Sequence, residues 1–189
     1  MTANEGHSMD DVRRAARRRV SQHGVAGLMA MLAPAILFPL ALLFVRDQPR
    51  FEWLHDPSRF PWELWVIALA GCIATTGGLL DWRFHRSGHT SVGHKEHASH
   101  LAALGLGGGT MFLLMCAASV VRRRELLLLP IILVALFTAA MICYDEFVFH
   151  RGRCGRYETI THRLLVFGNG TAWLAWVHWC FVRGVIGHA

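Results

Sequence analysis

A chain of 189 residues is long enough for one domain, but 53% of it is hydrophobic and its mean hydropathy is +0.35, which excludes an ordinary soluble globule. The formal net charge of +6 resides in arginine clusters that flank apolar runs, a pattern that excludes a continuous nucleic-acid-binding face and fits membrane topology. With no CxxC spacing, the five cysteines give no sign of a disulfide framework and read as small hydrophobes.

Residues 1–20 form a polar, arginine-rich arm carrying Arg13, Arg14, Arg17, Arg18 and Arg19. The rest, 21–189, reads as a single transmembrane domain. Apolar runs of about 20 residues cross a bilayer, and five runs approach that length: 24–45, 62–80, 101–121, 126–144 and 164–182. The first run is too long, and starts too far from the N-terminus, for a cleaved signal peptide. Between the first two runs, "RDQPRFEWLHDPSRFPW" mixes charge, proline and aromatics. It suits a loop on the membrane interface, with Trp53, Trp62 and Trp65 as anchors. Glycines in "GLGGGT" and "FGNGTA" predict close helix approach, and Trp173, Trp176 and Trp179 predict a belt or packing stripe.

The polar segments after the second and fourth runs carry a repeated pattern. "LDWRFH" aligns with "DEFVFH", and "EHASHLAALG" aligns with "ETITHRLLVFG". The shared form is an acid, an aromatic, then Phe-His, a polar loop, and Glu-x3-His. Two helical hairpins are therefore expected, 62–121 and 126–183, related by an axis along the membrane normal. The expected fold is an all-α integral membrane protein of about five transmembrane helices, with helices two to five forming a four-helix bundle.

Each half supplies two acid–histidine pairs four residues apart: Asp81/His85 and Glu96/His100, then Glu146/His150 and Glu158/His162. In an α-helix, residues four apart lie on one face, a turn apart. All four pairs fall at one end of the helices. Inward-facing acids and imidazoles in a bundle are how soluble proteins build dinuclear iron and manganese sites. Four carboxylates also balance the charge of two divalent ions, whereas isolated acids near hydrocarbon are costly. The mixed donor set suits iron, with manganese or zinc as alternatives. His97, Asp145 and His94 are candidate additional ligands or hydrogen-bonding supports of the ligands.

The expected function is a membrane-embedded dinuclear non-haem metal protein, di-iron by preference. It would act as an oxidoreductase or oxygenase on a hydrophobic substrate and need an electron donor. The alternatives are transition-metal binding, transport or metalloenzyme assembly, as a subunit of a larger membrane complex, and haem b electron transfer through opposed histidines. Twelve of the 19 Lys and Arg residues lie in the arm and in the loops after the second and fourth helices. The positive-inside rule places those segments in the cytoplasm, with the metal site beside them and the C-terminus outside. The cluster Arg122, Arg123, Arg124 opposes that orientation. A bacterial inner membrane is the expected location.

Overall fold

The computed structural model describes residues 36–86, 98–99, 102–150 and 155–183, without the side chains of Arg50, His85, Arg86, Phe149 and His150. The described residues are helical throughout their regular structure, with no strand among them. The elements are α1 (Phe38–Val45), α2 (Trp62–Arg86), α3 (Thr110–Val120), α4 (Leu128–Asp145) and α5 (Arg156–Val177). Wider, π-helical turns precede α3 at Ala103–Gly109 and extend α4 at Glu146–His150 and α5 at His178–Arg183. The aromatic loop between α1 and α2 folds as two short 3-10 turns, Pro49–His55 and Pro57–Arg59.

Among the described residues, three stretches are long and apolar enough to cross a membrane: Trp62–Phe84, Ala103–Val120 and Arg124–Val148. The protein is thus an all-helical chain of membrane-protein character. α5 falls outside this group: after its charged first turns, Asn169, His178 and three tryptophans dilute the apolar stretch. It nevertheless packs closely against α2.

α2 and α5 run antiparallel and in contact along their lengths. As α2 advances through Glu63, Asp81 and Phe84, its partners on α5 and its π extension retreat through His178, Thr161 and Tyr157. The seam is made of small residues. A Cβ built at Gly77 would lie 2.8 Å from the Thr161 carbonyl oxygen, and one at Gly168 would lie 2.8 Å from the Ala70 carbonyl oxygen. Side chains this small let backbones touch, and dispersion then accumulates along the whole interface.

The second extended interface joins α3 to α4 and the π turn before α3 to α4. Both interfaces cross the repeat: helix two packs on helix five, and helix three on helix four. The repeated hairpins are therefore not paired internally by their main contacts. Sequence similarity registers the copies, but facing small residues choose the neighbours.

The glycine segments divide accordingly. In "GLGGGT", Gly107 lies against Thr138, whereas Gly105 has open space around it; in "FGNGTA", Gly168 meets α2 and Gly170 faces open space. A hydrophobic core near one end unites Leu64, Ile67, Ala118, Ile131, Ala175 and Trp176 from α2, α3, α4 and α5. The tryptophan stripe belongs to this packing: Trp176 is fully buried, and Trp179 stacks edgewise on Trp53 with centroids 6.2 Å apart. The described cysteines are free thiols, and Cys72 and Cys143 lie on exposed helix faces rather than in the core.

Candidate metal centre

The antiparallel register of α2 on α5 places Asp81, near the end of α2, opposite the first turns of α5. The Thr161 hydroxyl sits between two acceptors, the Glu158 carbonyl oxygen at 3.0 Å and Asp81 Oδ1 at 3.3 Å. Thr161 and Glu158 are both buried, Glu158 with 4% of its surface exposed. One residue further on, His162 Nε2 approaches Asp145 Oδ2 of α4 at 3.9 Å. Asp145 is itself only 5% exposed. Three helices thus contribute Asp81, Asp145, Glu158 and His162 to one end of the structure.

Of the eight residues expected to hold metal, Asp81, Glu146, Glu158 and His162 have described side chains. Asp81, Glu158 and His162 lie in this region, and Glu146 is exposed. The backbone of His85 and His150 is helical, but their side chains lie outside the described residues, as do Glu96, His100, His94 and His97 entirely. Among the described residues, no three His, Cys, Asp or Glu side chains group closely enough to share a metal ion.

Asp145 is the residue that spacing undervalues. It stands five positions before His150, and five residues do not share a face in an α-helix. At Glu146 the helix widens into π turns, so α-helical phase ceases to apply over this segment. Burial then distinguishes the neighbours: Asp145 turns inward to His162, and Glu146 outward.

Sequence spacing also passes over Glu63. It lies within the apolar stretch of α2 near its start and has no exposed surface. His178 Nδ1 lies 2.7 Å from its Oε1, and Arg183 Nε donates to the same oxygen at 2.8 Å. The histidine had no evident partner in the sequence, because its acid lies 115 positions earlier. Only the α2–α5 register joins them, at the opposite end from Asp81. Comparison with known protein families, curated proteins and solved structures yields no match to this chain.

Proposed function

We propose that the protein spans the membrane with five helices and carries a dinuclear non-haem metal centre, di-iron, at the end of the helices marked by Asp81 and Glu158. On this reading it is an oxidoreductase acting on a hydrophobic substrate that reaches the site from the bilayer. The observation that carries the reading is the gathering of acids at this end. Asp145 and Glu158 are almost completely buried, with His162 and Asp81 beside them, at the ends of apolar helices. Acids in such surroundings favour cationic company, and divalent cations are one source of it. Imidazole and carboxylate together suit iron or manganese.

The donor from α4 is then Asp145, with Glu146 outside the centre. His85, Glu96, His100 and His150 complete the set from the paired half of each repeat. Bound metal would supply redox chemistry and an open coordination position. The chain's own part is to hold the ions, orient the imidazoles through carboxylate hydrogen bonds and keep the centre shielded from water.

Elemental analysis and an optical spectrum of the purified full chain test this directly. The expected result is about two irons per chain without a Soret band, as in bundle-type dinuclear sites. Ala at Asp145, Glu158 or His162 should lower metal content at least about tenfold, the usual scale for lost ligands or their supports. Glu146→Ala should leave it near the starting level. A Soret band would replace the reading with haem, and full metal retention in Asp145→Ala would remove the residue assignment.

A further inference from the structure

The end of the helices opposite the acid cluster contains a second arrangement of buried charge. Both described partners of Glu63 use Oε1, while Oε2 is buried with no hydrogen-bond partner among the described residues. The ring of Trp62 lies against His178, with centroids 5.3 Å apart. Arg183 is therefore tied at its Nε edge to a buried carboxylate while 45% of its side chain remains exposed. A guanidinium presents five N–H donors in a rigid plane, so its terminal amino groups are left for another acceptor.

Arg183 lines an open cleft of about 470 Å³, together with Trp53, Arg59, Phe60, Trp62 and Trp179. The wall holds two guanidiniums and no carboxylate. The nearby acid Asp56 is turned into its own loop: the Ser58 hydroxyl donates to it at 2.7 Å and the Ser58 amide at 3.0 Å. The hydroxyl contact first, then the amide, holds its carboxyl below the ordinary value. Trp62 opens the apolar stretch of α2. If that stretch crosses the bilayer, the cleft stands at headgroup depth, where tryptophans concentrate.

We propose that this cleft binds the phosphate ester of an anionic phospholipid. Arg183 and Arg59 donate to the phosphate oxygens, and the tryptophans enclose the glycerol and the first acyl carbons. Glu63 is a positioning residue that fixes the guanidinium plane of Arg183. The inference rests on the membrane-spanning reading and is independent of the metal centre.

The full chain in nanodiscs of mixed phosphatidylglycerol and phosphatidylcholine, read by native mass spectrometry, gives the test. Phosphatidylglycerol should be retained about tenfold over its share of the bilayer, as charge-assisted contacts to two guanidiniums imply. Arg183→Gln should abolish the enrichment, and Arg183→Lys should lose most of it because the fork is lost. Arg59 acts on the Asp56 carboxyl through its charge but makes no ion-pair contact within 4 Å among the described residues, so Arg59→Gln keeps the test decisive if Arg183 variants fold poorly. Equal retention of both lipids, or unchanged enrichment in Arg59→Gln, would overturn the proposal. Displacement of the lipid by glycerol phosphate at equal concentration would overturn it too, by assigning the cleft to a soluble anion. Iron content does not enter the readout.

Discussion

Trp176 has no exposed surface, and its indole Nε1–H donates to Ser119 Oγ at 3.1 Å. The serine hydroxyl in turn donates to the Met115 carbonyl at 2.8 Å, so one side chain satisfies a buried tryptophan and sits comfortably in its own helix. This pair ties α5 to α3. Ser119→Ala leaves the indole donor buried and unsatisfied, and stability should fall by about 1–3 kcal/mol. Trp176→Ala opens a cavity in the core and should lower it by about 3–5 kcal/mol. Equilibrium unfolding in mild detergent measures both, and an unchanged midpoint in Ser119→Ala would show that the contact adds nothing. At this scale the tryptophan spacing announces a stripe, but Glu63 looks like an ordinary helix-end acid and Asp145 like no more than an additional ligand or support. Their roles depend on side chains supplied by other helices.

Among the elements, α2 on α5 is the decisive pairing. Gly168→Ala would place a methyl 2.8 Å from the Ala70 carbonyl oxygen and the Ala74 amide nitrogen. These are backbone atoms, so the helices must separate, at about 1–3 kcal/mol. Gly170 lies two residues away with open space around it, and Gly170→Ala should instead gain about 0.5–1 kcal/mol from helix propensity. Opposite signs from adjacent glycines, read as shifts in thermal midpoint, would establish the seam; equal signs would deny it. The same separation should loosen Asp81 from Thr161 and, if the proposed metal centre is present, lower metal content in Gly168→Ala. Apolar length reveals α2 and α4 plainly, because hydrophobicity is a local property. α5 is less evident from length alone, because Asn169, His178 and three tryptophans dilute the apolar stretch that follows its charged first turns. Its partner cannot be read from length at all, since small residues occur on several helices and only shape complementarity selects between them.

On the scale of the whole molecule, the antiparallel register separates two polar ends. Asp81, Asp145, Glu158 and His162 gather at one; Glu63, His178 and Arg183 gather at the other. If α2 spans the bilayer, these ends face opposite compartments. Cysteine substitution in a cysteine-free chain tests this with a membrane-impermeant maleimide. Asp47→Cys, at a well exposed loop position, should react in intact cells, and Gly155→Cys only after permeabilisation. The reverse pattern would invert the orientation favoured by the arginine distribution. Reaction of both from one side would remove the spanning arrangement.

Helical class and membrane character are determined by the sequence itself, because hydropathy acts within single helices. The tertiary structure decides which helices touch, that Asp145 rather than Glu146 turns inward, and that His178 finds Glu63. Those outcomes depend on backbones approaching at small residues and on a helix widening past Asp145. Neither leaves a mark in local hydrophobicity, so packing, not sequence pattern, assigns the partners.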